Sequence, residues 1–487
     1  MMSSLAWHAS SGSRFVAGRP TLLIPFVLGC AILADRAQVG IATGGRGMLP
    51  LLAIVAPAAA GATVARYGAR RSLGFLATPA FVLGVSPYLA LTLLLPVLGV
   101  MFNAFPERTL LSLTEGTTAL SFLVIGAALS SGYRRCWSRW LLIAVTVQLL
   151  YSAGQAVYYS QAPGWELLTP LHEWDLSQAD PLTFVQGRSS GLYFNPNVLG
   201  FWAGLAVILS WSMLSPRYRW VGVALGVLTL LLSQSRGAAA ALLAALVCGA
   251  VLSIAGGGFF SGRIFKGIFV FALAITAALS IAALIVPAGL LGDRFGALFS
   301  VWSEGPRADP NLAARLDLWE AVTALNAVYP WGTLGPPEYV LGNAVDNAWF
   351  RAFSQGSILY VATLAMLLVA GFFISPYRHG FALRLVTILI AVAGFTQTPF
   401  AYPAIVLFWV LLGGGLASVV AVPGRADTDA VAAIHKSRGH VGSTQAPPPV
   451  RERAAQHAWR ETISSRRADG IEIPGARNGK GNTDLSV

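Results

Sequence analysis

Long apolar runs, separated by short charged or Gly/Pro/Ser-rich segments, occupy most of the chain up to residue 423. A helix that crosses a bilayer needs roughly 20 mostly apolar residues, and this pattern is typical of such helices. The runs predict about twelve of them, over 20–34, 48–65, 73–103, 109–130, 139–157, 191–213, 219–234, 237–255, 265–291, 347–374, 382–398 and 401–421. The third run is too long for one straight helix and contains prolines, so a kink or re-entrant segment is expected there.

The composition supports the same fold class. Of 487 residues, 55% are hydrophobic and only 11% are charged, and the mean hydropathy is +0.64. Soluble domains carry about a quarter charged residues, so a water-soluble enzyme is excluded. The three cysteines have no metal-site spacing. We therefore expect an all-α polytopic membrane protein.

The charges predict the orientation of the helices. The net charge is +12, but Lys and Arg collect in cytoplasmic loops of membrane proteins, so a nucleic-acid partner is not implied. With the amino terminus inside, the inner loops receive Arg66, Arg70, Arg71, Arg134, Arg135, Arg139, Arg217, Arg219, Arg263, Lys266, Arg378 and Arg384. Before the carboxy-terminal tail, every Asp and Glu except Glu115 falls in or beside an outer loop. Both termini are then cytoplasmic.

Three other segments complete the predicted organisation. The polytopic domain, 1–423, has two long outer loops, over about 158–190 and 292–346, and the second separates the ninth and tenth helices. That loop contains an amphipathic helical pattern around Arg315. Residues 424–487 are polar and rich in Pro and Arg, which is typical of a disordered basic tail in the cytoplasm. A solvated tail is favoured over one bound to anionic lipid.

Charged residues recur at the predicted outer helix ends. Arg188, Arg236 and Asp346 all lie there, and each on its own is explained by side chains that reach toward lipid headgroups. Together, the two guanidinium groups are suited to hold a phosphate or diphosphate. In RSSGLYFNPNVLG, Asn195 and Asn197 interrupt the start of a helix, and we expect this interruption to leave backbone amides free for an anion.

Four segments, in this order, resemble the O-antigen ligase and O-antigen polymerase superfamily. They are RSSGLYFNPNVLGFWAGL, LLLSQSRGAAAALLAAL, RLDLWEAVTALNAVYPWGTLG and VDNAWFRAFSQGSILY, within residues 185–400. The resemblance implies a GT-C-like membrane glycosyltransferase of the bacterial cytoplasmic membrane. Its donor would be a glycan on undecaprenyl diphosphate, used at the outer face, and its acceptor a glycan or a lipid.

One position departs from the ligase pattern. Ligases of this superfamily typically have a His before the Asn that starts the span after the large loop, whereas Asp346 precedes Asn347 here. A polymerase of exopolysaccharide or O-antigen repeats is therefore favoured, and a ligase to a lipid or protein acceptor stays open. Asp346 can accept a proton as a His would.

The resemblance and the chemistry together suggest a role for each candidate. We expect Arg188 and Arg236 to stabilise the leaving diphosphate, and Asp346 to orient or deprotonate the acceptor. The expected substrate-binding residues are Arg315, Asn347, Asn195, Asn197 and Glu115. Glu115 is the only acidic residue inside a predicted span. It is either a base or sugar contact, or a structural partner of a neighbouring helix, and the structural role is slightly favoured.

No metal or cofactor is expected, because the outer loops lack a close carboxylate pair at a helix end. Either Asp175 with Asp180 or Asp309 with Asp317 could still hold a divalent ion, so a metal site stays an open alternative.

A different class of function is a secondary transporter or lipid flippase, since about twelve spans with both ends inside is a common transporter layout. Transporters often have two related halves, and none is detected here, so the transferase is favoured.

Overall fold

The computed structural model describes most of the chain between residues 22 and 420. The described residues are 22–33, 38–40, 48–102, 106–129, 134–159, 188–193, 195–255, 303–308, 310–335, 337–341, 345–374 and 380–420. By contacts, the chain divides into Met1–Val422 and Pro423–Val487, and every described residue belongs to the first unit. The predicted tail, 424–487, and most of the loop 158–190 lie outside the described residues.

Helices make up nearly all of the described part. In chain order they are α1 (Leu23–Leu33), α2 (Leu51–Tyr67), α3 (Ala69–Leu73), α4 (Ser86–Met101), α5 (Pro106–Leu129), α6 (Arg134–Tyr159), α7 (Pro196–Met213), α8 (Pro216–Ser233), α9 (Arg236–Ala255), α10 (Pro310–Val328), α11 (Glu338–Leu341), α12 (Ala348–Phe373), α13 (Gly380–Ala393) and α14 (Val406–Val420). A short antiparallel ribbon joins β1 (Gln38–Gly40) to β2 (Met48–Pro50), with Val39 opposite Leu49.

A helix overlaps each predicted run except the ninth, 265–291, which lies outside the described residues. Within the described part, three helices are long and apolar enough to cross a membrane: Phe81–Met101, Pro196–Met213 and Ala348–Phe373. These helices agree with a membrane protein. The full count of about twelve crossings and the GT-C-like arrangement stay predictions.

The expected interruption in the third run is present. A 3₁₀ turn, Gly74–Ala77, ends at Thr78, whose hydroxyl donates to the Phe75 carbonyl over 2.7 Å and accepts from the Phe81 amide over 3.2 Å. A π-helical turn, Phe81–Val85, then leads into α4. The Thr78 hydroxyl thus interrupts the regular backbone hydrogen bonds of the helix, in a run that also contains prolines. Prolines and inserted side chains are the usual causes of a sharp bend in a helix.

A second interruption, inside α12, was not predicted. Ser357 has a positive φ of 58°, so the helix breaks after Gly356. The break frees the carbonyls of Ser354 and Gln355, which accept from the amides of Thr333 and Leu334 over 2.8 and 3.0 Å. Buried carbonyls need such partners, and the end of the long outer loop supplies them here. This loop segment is thereby fixed against α12.

The described helix ends fall into two groups. The starts of α7 and α12 lie near the α8–α9 turn and the α13–α14 loop, as the hydrogen bonds below show. At the opposite ends, Arg71 donates to the Ala128 carbonyl over 3.4 Å and Arg384 to the Phe372 carbonyl over 3.1 Å. Arg219 lies 5.3 Å from the Trp211 ring centroid. These three arginines, which were expected on the inner side, thus lie away from the starts of α7 and α12, although the location of the termini stays a prediction.

Helices α5 and α14 cross in close contact through two glycines. A Cβ at Gly413 would collide with the Leu123 backbone, and a Cβ at Gly126 with the Val410 backbone. Small residues at such crossings let two backbones approach and gain dispersion contacts. The crossing belongs to the same bundle that positions the site.

We expect Gly413→Ala to destabilise the protein, because neither backbone can move without repacking the crossing. Overpacking of this kind costs about 1–3 kcal/mol. Gly154→Ala in α6 is the matched control, because nothing lies within 4 Å of its added Cβ. The measurement is the thermal unfolding midpoint of the purified protein in detergent. Equal midpoints for the two variants would contradict the close crossing.

Candidate functional site

Most of the predicted site residues meet at one end of the bundle, which we call the polar end. It is formed by residues 188–193 and 195–197, the α8–α9 turn at 233–236, the start of α12 at 346–348, and the α13–α14 loop at 394–403. The packed core beside it is otherwise strongly apolar. Polar groups inside such a bundle are costly and are usually functional.

The segment 188–193 is held by glutamines from α6. Gln155 Oε1 accepts from the amides of Ser190 and Gly191 over 3.1 and 2.8 Å, and Gln148 Oε1 accepts from the Leu192 amide over 3.1 Å. The amides of Ser190, Gly191 and Leu192 are therefore not free to bind an anion. Two buried side chains already satisfy them, and the helix begins only at Pro196.

Arg188 joins two helices of the polar end. Its Nε donates to the Ser233 carbonyl over 3.2 Å, and its Nη2 donates to Asn197 Oδ1 over 2.9 Å. Asn195 is the N-cap of α7, and its side chain accepts from the Asn197 amide over 2.8 Å. Asn195 thus has a structural role, whereas Asn197 lies beside the guanidinium of Arg188.

Arg236 is the first residue of α9, directly after the turn that ends α8. In that turn Gln234 adopts the left-handed conformation, with φ of 49°. The neighbouring Ser235 hydroxyl donates to Asn197 Oδ1 over 3.2 Å. A Cβ at Gly200 would collide with Ser235, so only glycine lets α7 approach this turn. Asn197 thus contacts both Arg188 and the residue that directly precedes Arg236, and the two predicted arginines belong to the same part of the polar end.

Asp346 forms an ion pair with Arg315 of α10. Its Oδ2 accepts from Arg315 Nη2 over 3.2 Å, and the two side chains are 35% and 28% exposed. Trp319, one turn further along α10, stacks on Phe350 of α12 with ring centroids 5.3 Å apart. The outer helix is thus packed against the start of α12. Two residues that were predicted separately, Arg315 and Asp346, form one charged group.

Asn347 is buried and caps α12. Its Oδ1 accepts from the amides of Trp349 and Phe350, and its Nδ2 donates to the Phe395 carbonyl over 3.0 Å. These contacts are those of an N-cap. They fix the backbone next to Asp346, so the predicted substrate contact of Asn347 stays a prediction.

Gln397 connects the two halves of the polar end. Its carbonyl accepts from the Ala348 amide over 3.0 Å, and its Nε2 donates to Ser235 Oγ over 3.1 Å. A hydrogen-bonded path therefore runs from the Asp346 turn, through Gln397, Ser235 and Asn197, to Arg188. Sequence analysis missed Gln397, although a glutamine at the end of an apolar run was a usable signal.

Glu115 of α5 lies beside the polar end, where it is paired with Arg351 in the first turn of α12. The two carboxylate oxygens accept from Arg351 Nη2 over 3.1 Å and from Nη1 over 3.5 Å. The side chains are only 13% exposed for Arg351 and 26% for Glu115. The structural alternative, a contact with a neighbouring helix, is thus present, and a sugar contact stays a prediction. Arg351 was not singled out in the sequence.

A cavity of about 240 Å³ lies beside this ion pair. Its walls include Glu115, the hydroxyl-bearing Thr92 and Thr118, and four aromatic residues: Tyr88, Phe400, Tyr402 and Trp409. Tyr402 also belongs to the polar end, because it lies in the α13–α14 loop at 394–403. The cavity and the polar end are therefore adjacent.

The described residues contain no group of three or more His, Cys, Asp or Glu side chains that could hold a metal ion. Asp175, Asp180 and Asp309, which left a divalent ion open, lie outside them. No family model and no curated protein matches this chain.

Proposed function

We propose that this chain is an inverting membrane glycosyltransferase that acts on oligosaccharide linked to undecaprenyl diphosphate. The proposed reaction is the polymerisation of repeat units at the outer face of the bacterial cytoplasmic membrane. The observation that supports it most is the hydrogen-bonded path from Arg188 to the Asp346 turn, with Arg236 next to it. Cations and a carboxylate that could serve as a base are thereby held together at one end of an apolar bundle.

The arginines supply electrostatic stabilisation in this mechanism. As the bond from the anomeric carbon to the diphosphate oxygen breaks, negative charge grows on the leaving diphosphate. Arg188 is fixed beforehand by Ser233 and Asn197, so it does not need to reorganise during the reaction. Preorganised donors of this kind are often the largest single contribution to catalysis. A guanidinium also matches a phosphate in geometry.

Asp346 supplies the base. The acceptor hydroxyl oxygen attacks the anomeric carbon, its proton passes to the Asp346 carboxylate, and undecaprenyl diphosphate leaves with the electron pair. Arg315 holds the carboxylate in place through its ion pair. Proton transfer by a positioned carboxylate contributes typically 100- to 10,000-fold to a rate. No cofactor has a role in these steps.

A transporter or lipid flippase is the second candidate. It is favoured by the Glu115–Arg351 pair inside the bundle and by the broken helices at Thr78 and Gly356, since transporters use broken helices. The polar end fits group transfer better, because its charges lie at helix ends where a diphosphate could enter from the headgroup region. A ligase would use the same chemistry with another acceptor.

The test is a gel profile of surface polysaccharide and of the polyprenol-linked pool in a host that lacks the protein. We expect long chains to vanish and single repeat units to remain, with recovery when wild-type protein is supplied. Long chains that persist on the carrier but fail to reach the final acceptor would indicate a ligase. An unchanged profile in the deletion host would exclude the transferase and favour the transporter.

A further inference from the structure

The cavity beside Glu115 has a lining that a hydrocarbon chain would not use. Three rings form one aromatic cluster, with centroid distances of 5.5 Å between Tyr88 and Phe400, 6.2 Å between Tyr88 and Trp409, and 6.1 Å between Phe400 and Trp409. Glu115, with Thr92 and Thr118, adds polar groups to the same walls. A lipid tail would cut off from water those acceptor positions of the Glu115 carboxylate that Arg351 does not use, which is costly in an apolar setting.

A sugar ring matches both kinds of wall. It presents flat C–H faces, which pack on aromatic rings, and hydroxyl groups around its rim, which need acceptors and donors. Binding sites for small polar molecules have this composition, with apolar walls and a few placed polar groups. Each oxygen of an ionised carboxylate has about two acceptor positions. Glu115 can therefore accept from a sugar hydroxyl while it stays paired with Arg351.

The position of the cavity indicates which sugar it would hold. Tyr402 lines the cavity and belongs to the α13–α14 loop, in which the Gln397 carbonyl accepts from the Ala348 amide, two residues after Asp346. The side chain of Gln397 donates to the Ser235 hydroxyl. Ser235 in turn contacts Asn197, which accepts from Arg188. In an inverting displacement the attacking hydroxyl and the leaving group lie on opposite faces of the anomeric carbon, so donor diphosphate and acceptor need separate sites.

We propose that this cavity binds the terminal sugar of the acceptor glycan, the sugar that carries the attacking hydroxyl. The acceptor role rests on the proposed transferase function, whereas the binding of a saccharide does not. Glu115 and the aromatic cluster hold the sugar, and Asp346 receives the proton from its hydroxyl. Arg188 and Arg236 bind the diphosphate of the donor and do not contact this sugar.

The first experiment measures binding without transfer. The probe is the free oligosaccharide released by mild acid from the host's polyprenol-linked pool, followed by saturation-transfer NMR on the full-length protein in detergent. Ala401→Trp fills the cavity from an exposed position in its wall, and we expect it to weaken binding at least tenfold. Ala324→Trp, at an exposed position on α10, is the matched control and should bind as wild type.

A second cavity-filling variant, Ala53→Leu, approaches from α2 and should give the same loss. This variant keeps the result interpretable if the tryptophan turns away from the cavity. No saccharide signal with wild type, or equal signals with wild type and both filled variants, would overturn the proposal.

The second experiment separates this inference from the proposed function. In a transfer assay with the lipid-linked oligosaccharide as donor and the free oligosaccharide as acceptor, we expect Ala401→Trp to raise the KM for the free acceptor at least tenfold and to leave the KM for the lipid-linked donor within twofold. A rise in the donor KM instead would assign the cavity to the donor and overturn the acceptor role. Saccharide binding without any transfer by wild type would overturn the transferase and its acceptor, while the sugar site would stand.

Discussion

Replacing Arg188 by alanine is expected to lower the rate of glycan transfer by about 100- to 1000-fold, the usual loss when one preorganised donor is removed. This loss corresponds to about 3–4 kcal/mol of transition-state stabilisation. Most of it should appear in kcat, because the charge on the diphosphate grows only as the bond breaks. The measurement is transfer of labelled repeat units by purified protein with the polyprenol-linked donor.

Arg188 also has structural contacts, so the variant needs controls. Asn197→Ala removes the hydrogen bond to Nη2 but keeps the charge, and it should lose about tenfold or less. Arg307→Ala removes an exposed arginine that pairs with Asp317 and Glu320 on α10, and it should keep the wild-type rate within twofold. If Arg188→Ala keeps more than a tenth of the wild-type rate, Arg188 does not stabilise the leaving group.

The sequence predicted the positions of the helices well, because long apolar runs are a local signal. A helix that overlaps a predicted run is formed by hydrogen bonds between residues close together in the chain, so the run alone is enough to predict it. The predicted break in the third run followed from its prolines, which are also local. The break in α12 was missed because Gly356 is one of many glycines. The two carbonyls that the break frees accept from the amides of Thr333 and Leu334 in the outer loop, and these partners are distant in the chain.

The candidate site was only partly predictable, because its contacts join distant parts of the chain. Arg188, Asn197 and Asp346 were found as polar residues at helix ends. Their arrangement in space was not predicted, because it depends on the hydrogen bond between Gln397 and Ser235, which are 162 residues apart in the chain. Glu115 and Arg351 are 236 residues apart, and nothing in a single sequence pairs them. The hydrogen bonds of the Ser190, Gly191 and Leu192 amides were not predicted for the same reason, because their partners come from α6.

Replacing Asp346 by asparagine is expected to lower kcat by about 100- to 10,000-fold, the usual contribution of a positioned general base. Asparagine keeps the size of the side chain but cannot accept a proton from the acceptor hydroxyl. Asp346→His restores a proton acceptor at the same place and should recover at least tenfold over Asp346→Asn. The measurement is kcat as a function of pH, in which the wild-type loss of rate at low pH should be absent from the residual activity of Asp346→Asn.

The ion pair with Arg315 offers a different explanation, in which Asp346 only positions that arginine. In that case Arg315→Gln should lose as much activity as Asp346→Asn, and the double variant should be no worse than either single one. A base predicts instead that Asp346→Asn is at least tenfold worse than Arg315→Gln, because only the carboxylate takes the proton. Glu320→Gln, an exposed carboxylate on α10 that pairs with Arg307, is the matched control and should keep the wild-type rate. Equal losses in the two single variants would contradict a base at Asp346 and leave the charge of Arg315 as the group that acts.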